Sequence, residues 1–208
     1  MQISYKLSIF EKNIAHLIMK KFLIVATIFL VSASSLFAGG VSVKSGDVSV
    51  LKNPGKAKVV WDYSKTYVGE DGAKTKTLSQ YLSSRGSEYV RDWPKDHAKA
   101  EEYFSIRFSK LNKKGLVVAE GKDKVDYLIE IKVEVLDMGN AAGLFIPMGG
   151  AKAGGVIMWG KVYVKNAKTK KTVLTLEIDE VKGKANPSES MRLGLCYMDL
   201  ATRMARVR

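Results

Sequence analysis

Residues 125–137, VDYLIEIKVEVLD, decide the fold, because apolar and charged side chains alternate along them. Apolar residues take the odd positions from Val125 to Val135, and Glu130, Lys132 and Glu134 fall between them. A repeat of two residues is typical of a β-strand that buries one face and leaves the other in water. The stretch therefore predicts a half-buried strand.

Four other runs have the composition of strands. A run that begins at Lys56, KAKVVWDYSKTYV, lies between turn signals, and Leu116–Glu120 reads LVVAE. Two further runs, Val156–Lys165 and Thr172–Val181, are separated only by the polar residues NAKTKK. The last two runs predict a β-hairpin with a longer loop.

The first predicted helix covers Asp96–Lys114, where apolar residues recur every three or four positions. Asp96 can cap its first turn, and Gly115 follows its end. We expect only a short or broken helix before it, because Gly86 interrupts the pattern and Pro94 stops it.

The second predicted helix covers Pro187–Arg206. Asn186 as a cap, Pro187 at the first helical position and Glu189 at the third form a helix-start signature. Helices on one face of a sheet are the economical arrangement for this order of elements. The sequence thus predicts a single α+β domain over residues 39–208, with a largely antiparallel sheet of about four to five strands and both helices on one face.

The N-terminus resembles a secretory leader. Met19-Lys20-Lys21 precedes the apolar run FLIVATIFLVSASSLFA, which ends at Ala38. We expect translation to begin at Met19 and cleavage to follow Ala38, so that residues 1–38 are removed. The only cysteine, Cys196, is far from this leader and cannot carry a lipid there. The sequence therefore predicts an exported protein, periplasmic or associated with the outer membrane but not lipid-anchored.

The charge of the chain limits its partners. The formal net charge is +13, and residues 1–38 contribute only four lysines and one glutamate to the balance. Export would separate such a basic protein from nucleic acid and leave envelope proteins or anionic lipid surfaces as partners. Lys168, Lys170 and Lys171 crowd one end of the predicted hairpin and are candidate contacts. Oligomeric state stays open.

Residues 139–155, GNAAGLFIPMGGAKAGG, form a long glycine-rich connection between two predicted strands. They match neither a phosphate-binding loop nor a dinucleotide fingerprint. Leu144, Phe145, Ile146 and Met148 make the centre apolar. The stretch is therefore either a flap folded over the core or an exposed contact for a partner or lipid surface.

Catalytic side chains are few. Residues 39–208 contain one histidine, His97, and one cysteine, Cys196, and we interpret them as a surface residue near a helix cap and a buried apolar-like thiol. We predict no catalytic residue, no cofactor and no metal site. The rival hypothesis is an enzyme whose acid and base come from separate strands, with Asp62, His97 and the cluster 177–180 as its parts.

Six further segments can be compared with known proteins: WDYS (61–64), VRDWPK (90–95), VDYLIEIKVEVLDMG (125–139), AKAGGVIMWG (151–160), EVKGK (180–184) and RLGLCYMDLA (192–201). Together they resemble segments of exported hypothetical proteins of Gram-negative bacteria. In element order alone, the chain is similar to small α+β domains of outer-membrane lipoproteins and secretion components. The resemblance implies localisation and fold but no catalytic residue. We therefore predict a non-enzymatic binding or assembly module of the envelope, with the enzyme and a structural protein that binds anionic lipid as alternatives.

Overall fold

The computed structural model of the protein describes residues 39–139 and 154–208. The predicted leader, residues 1–38, lies outside these residues. Four α-helices occur in the described part, together with a short 3-10 helix at Glu70–Gly72. The helices are α1 (Ser49–Lys52), α2 (Leu78–Arg85), α3 (Ser87–Leu111) and α4 (Glu189–Arg206). The strands are β1 (Gly40–Gly46), β2 (Gly55–Asp62), β3 (Tyr67–Val68), β4 (Lys76–Thr77), β5 (Leu116–Val118), β6 (Tyr127–Asp137), β7 (Ile157–Asn166) and β8 (Thr172–Lys182).

The strands form one mixed sheet in the order β1-β8-β7-β6-β2-β5, and β3 and β4 extend it beside β6. The pairs β1–β8, β8–β7 and β7–β6 are antiparallel, whereas β2 is parallel to both β5 and β6, and β3 is parallel to β6. The prediction of a largely antiparallel sheet of four to five strands is therefore wrong, although the class α+β is right. Alternation within a strand does not encode the direction of its neighbour, and β3 and β4 are too short to show a pattern.

Both predicted helix starts are wrong. Helix α3 begins at Ser87 and passes through Pro94, so Asp96 is not its cap, and it ends at Leu111. Pro94 removes a donor to the carbonyl of Val90, but Val90 is 44% exposed and water can satisfy that oxygen. Helix α4 begins at Glu189, because the hydroxyl of Ser188 accepts the backbone N–H of Met191 and caps it.

The core lies between the sheet and the packed pair α3 and α4. Phe104 and Phe108 of α3 and Tyr197 and Leu200 of α4 are fully buried together with the apolar side chains of the central strands. The quoted strand is confirmed as half-buried along most of its length. A register shift at its far end buries two successive residues, Val135 and Leu136, which alternation does not predict.

The other face of the sheet carries charges that are paired with one another. Glu130 contacts both Lys165 and Lys132, and Lys161 lies 3.3 Å from Glu134. Glu177 is opposite Lys161 in the β7–β8 register, but its ion pair is with Lys44 of β1. Within residues 39–139 and 154–208, no helix is long and apolar enough to cross a membrane.

Candidate functional site

A cleft opens beside strand β6, between the point where β2 stops pairing with it and the point where β3 begins to pair with it. Strand β2 pairs with β6 as far as Asp62 opposite Lys132, and β3 resumes the pairing at Tyr67 opposite Val135. Residues 63–66 therefore connect the two strands without strand pairing to β6, although the hydroxyl of Thr66 donates to the carbonyl of Val133 at 2.6 Å. Asp62 holds this turn by accepting the backbone N–H and the hydroxyl of Ser64, at 3.0 and 2.6 Å. These two hydrogen bonds lower the pKa of the Asp62 carboxyl.

The cleft has a volume of about 1190 Å³. Its floor is the turn after β2 together with Lys132, Val133 and Glu134 of β6. Helix α2 and the first half of α3 supply a partly apolar wall. The apolar and aromatic lining consists of Tyr63, Tyr67, Leu78, Leu82, Val90 and Trp93, and hydroxyl groups come from Ser64, Thr66, Thr77, Ser79 and Ser83.

The charge in the cleft is positive. Lys132 and Lys161 are each matched by a carboxylate, Asp62 at 3.8 Å and Glu134 at 3.3 Å. Lys65 and Lys74 also line the cleft, and neither forms an ion pair with any of the described residues. The ammonium of Lys74 lies 5.7 Å from the centre of a neighbouring tyrosine ring. The cleft therefore offers two lysines without an acidic partner beside aromatic surface.

Four side chains form a closed ring of polar contacts behind the cleft. The Tyr63 hydroxyl lies 3.3 Å from Glu101 Oε1 and 2.9 Å from the Tyr197 hydroxyl. His97 Nε2 is 3.1 Å from the Tyr197 hydroxyl, and His97 Nδ1 is 3.2 Å from Glu101 Oε1. His97 and Glu101 are one turn apart on α3, Tyr197 lies on α4, and Tyr63 follows β2. The ring thus joins three parts of the fold.

Burial sets the protonation of this ring. His97 is only 8% exposed, and burial lowers its pKa to about 4. Burial also raises the pKa of Glu101, although the hydrogen bond from Tyr63 opposes that change. The pKa values of both tyrosine hydroxyls are raised, mainly by burial. Each group is therefore shifted toward its neutral form.

Aromatic contacts connect the ring to the cleft. The Tyr63 and His97 rings meet edge to face with centroids 4.0 Å apart, and Trp93 stacks on His97 at 5.5 Å. Tyr63 and Trp93 also line the cleft. A second cavity, of about 550 Å³, lies on the other side and is lined by Trp61 and Glu101.

The interpretation of His97 as a surface residue is wrong, because α3 starts earlier than predicted and His97 faces the core. Its partners Glu101, Tyr63 and Tyr197 were not predicted from the sequence. The spacing of His97 and Glu101 by four residues on a predicted helix is a signal that could have identified the first pair. The two tyrosines carry no such local signal.

The structure does not bring the parts of the hypothetical enzyme together. Within the described residues, no hydrogen bond or ion pair joins Asp62, His97 and the cluster 177–180. The same residues contain no group of three or more metal-ligating side chains. Cys196 is fully buried, as predicted, and its thiol donates to the carbonyl of Val181 at 3.4 Å. Burial raises the pKa of that thiol.

The lysine-rich hairpin end is a turn held by Asn166, whose side-chain oxygen accepts the backbone N–H groups of Lys168 and Thr169. Lys168, Lys170 and Lys171 are all exposed. The other predicted contacts, Leu144, Phe145, Ile146 and Met148, lie outside the described residues.

No family model matches the chain, and no curated protein sequence does either. Among solved structures, the chain is similar to the PelC dodecamer of Paraburkholderia phytofirmans, at 12% identity and a TM-score of 0.40, over 82% of this chain and 99% of that one. A point variant of the same PelC gives 11% identity and a TM-score of 0.40, over 80% and 98%. An uncharacterised protein matches at 11% identity and a TM-score of 0.33, over 73% and 88%. Similarity at this level carries no argument about function.

Proposed function

We propose that the protein is an exported, non-enzymatic binding module of the bacterial envelope and that its ligand occupies the cleft between β6, α2 and α3. The single observation that carries this proposal is the pair Lys65 and Lys74, which line a large cleft without acidic partners. A concave site with apolar walls and a few convergent polar groups is typical of ligand pockets. The resemblance to exported proteins supports the location.

The lining favours an amphipathic anion. Leu78, Leu82 and Val90 form apolar wall, and Trp93 adds an aromatic surface. An acyl or aromatic group of the ligand would pack there and remove apolar area from water. A carboxylate, sulfate or phosphate would lie near the two lysines, where its charge is opposed by no free carboxylate. The ligand class is therefore a molecule with one apolar part and one anionic head.

The arrangement of His97 supports binding over catalysis. Both imidazole nitrogens already contact protein groups, at 3.1 and 3.2 Å, and the side chain is almost fully buried. A general base needs a nitrogen within hydrogen-bond reach of a substrate proton. His97 offers no such nitrogen to a molecule in the cleft.

Titration with anilinonaphthalene sulfonate, a fluorescent amphipathic anion, tests the proposal. The double variant Lys65→Gln/Lys74→Gln should weaken binding by about tenfold, and the loss should shrink as salt is raised. The matched control is Lys168→Gln/Lys171→Gln, which removes the same charge from the hairpin end. The proposal predicts unchanged affinity for that control. Equal losses in both variants would mean that the probe responds to net charge, and a loss only in the control would place the anion site at the hairpin.

A further inference from the structure

Four polar contacts close the ring of Tyr63, Tyr197, His97 and Glu101, and each contact needs one hydrogen to be a hydrogen bond. When Glu101 is ionised and His97 is neutral, only three hydrogens are available, one on the imidazole and one on each tyrosine. However these three are distributed, one contact brings two acceptors together without a hydrogen. The three-hydrogen ring is therefore incomplete.

One added proton completes the ring. With the proton on His97, both imidazole nitrogens donate, to Glu101 and to Tyr197, while Tyr197 donates to Tyr63 and Tyr63 donates to Glu101. With the proton on Glu101, the carboxyl donates to Nδ1 and Nε2 donates to Tyr197, and the other two bonds are unchanged. Either way every contact holds one hydrogen, and the net charge of the ring becomes zero. A buried site favours this neutral and fully hydrogen-bonded state.

We propose that the ring binds one proton on acidification and that this proton increases the affinity of the cleft for its anionic ligand. The inference rests on the proposed function, because it concerns the regulation of the same cleft. Burial of Glu101, which raises its pKa, supports proton uptake above the ordinary range of a glutamate. The side chains that the ring and the cleft share connect this proton to the ligand site.

Those shared side chains are Tyr63 and Trp93. The hydroxyl of Tyr63 belongs to the ring, and its aromatic group lines the cleft. Trp93 lines the same wall and stacks on His97. In the complete ring the Tyr63 hydroxyl has a fixed donor and a fixed acceptor, so its position is defined. A cleft that is held in its binding geometry loses less conformational entropy when the ligand enters.

The remaining groups around the ring leave this proton count unchanged. On α3 itself, Trp93 faces His97, and Glu102 lines the second cavity beside Glu101. From the sheet and the β5–β6 connection, Trp61 packs on Tyr197, and Lys58, Lys122 and Asp123 line that cavity. Within the described residues, His97 and Glu101 pair with each other and with no other charged group. From α4, the group that faces His97 is Tyr197, which is already counted in the ring.

The variant Glu101→Gln provides a sharp test. Its amide can donate to His97 and accept from Tyr63, so its ring contains four hydrogens at every pH. Anilinonaphthalene sulfonate is a suitable probe because its sulfonate stays ionised. The full chain and two variants, Glu101→Gln and the exposed neighbour Glu102→Gln, are titrated from about pH 8 to about pH 5, a range just above the ordinary pKa of a glutamate.

The expected result is an affinity gain of about fivefold or more for the wild type on acidification. Glu102→Gln should gain equally, whereas Glu101→Gln should hold the higher affinity throughout. Affinity that is independent of pH in the wild type overturns this proposal but not the binding function. An equal gain in Glu101→Gln also overturns it. No binding at any pH overturns both this proposal and the binding function.

NMR gives a second readout of the same proton. The ¹⁵N shifts of His97, assigned by their loss in His97→Gln, should change with pH in the wild type and stay constant in Glu101→Gln.

Discussion

The hydroxyl of Tyr197 lies 3.1 Å from Nε2 of His97, although the two residues are 100 positions apart in the chain. This contact joins helices α3 and α4, and Tyr63 extends it to the sheet. The ring of four polar side chains therefore forms only when both helices are packed. It is a structural element that meets the cleft at Tyr63.

The first prediction concerns Tyr197→Phe. The change keeps the buried aromatic ring but removes a hydroxyl that contacts both Tyr63 and His97. We expect a loss of about 1–3 kcal/mol in the free energy of unfolding, because a buried imidazole nitrogen loses its partner. Chemical denaturation measures it. Tyr103→Phe, at a tyrosine with no side-chain hydrogen bond to the described residues, is the matched control and should change little.

The second prediction is a pH dependence of stability. The raised pKa of Glu101 means that the folded protein holds a proton that the unfolded chain releases near the ordinary pKa of a glutamate, 4.5. The folded state is therefore less stable as pH rises from about 4.5 through the raised pKa. Glu101→Gln lacks this loss, so its stability relative to wild type should increase over that window. A difference that is constant with pH would contradict the assigned direction of the pKa shift.

The third prediction concerns the close approach of β6 and β7 beside the register shift in β6. Gly160 lies opposite it, and an added Cβ would overlap the carbonyl oxygen of Lys132. Gly160→Ala should cost about 1–3 kcal/mol, since the two strands must move apart. Gly55→Ala is the control, because its Cβ would meet Leu116 at an ordinary 3.4 Å. Thermal melting of the two variants should separate them, and equal melting temperatures would contradict the close approach at Gly160.

The fourth prediction concerns Cys196. Its thiol is fully buried, and burial raises its pKa, so little thiolate forms. A disulfide reagent should label the native protein only as fast as the protein opens, and denaturant should accelerate labelling. Cys196→Ala should leave probe binding unchanged. Rapid labelling of the folded protein at neutral pH would show that the helix leaves this thiol accessible.

Local patterns predicted much of the fold. Alternation located β6, and the polar run between two apolar runs located the β7–β8 hairpin within a residue or two at its ends. The same rules failed for α3, because Pro94 is exposed and the helix tolerates its missing donor. They could not give the direction of β2, whose parallel pairing with β6 is set by the chain that connects them.

The site was less predictable than the fold. His97 and Glu101 share a helix face, and this spacing is visible in the sequence. Tyr63 and Tyr197 join them only through tertiary packing, which no local pattern encodes. The cleft arises from a gap between β2 and β3 where both pair with the same strand, and Lys65 and Lys74 look like ordinary loop lysines until that gap is seen.

A heteronuclear NMR titration that follows the indole N–H signals of Trp61, Trp93 and Trp159 shows directly whether a ligand enters the cleft. Trp93 lines the cleft, whereas Trp159 lies outside it beside Gly72. With increasing anilinonaphthalene sulfonate, the account predicts a saturable shift that is largest at Trp93 and is lost in Lys65→Gln/Lys74→Gln. A Trp93 signal that stays in place while the probe binds, or one that shifts no more than that of Trp159, would contradict a ligand site in the cleft.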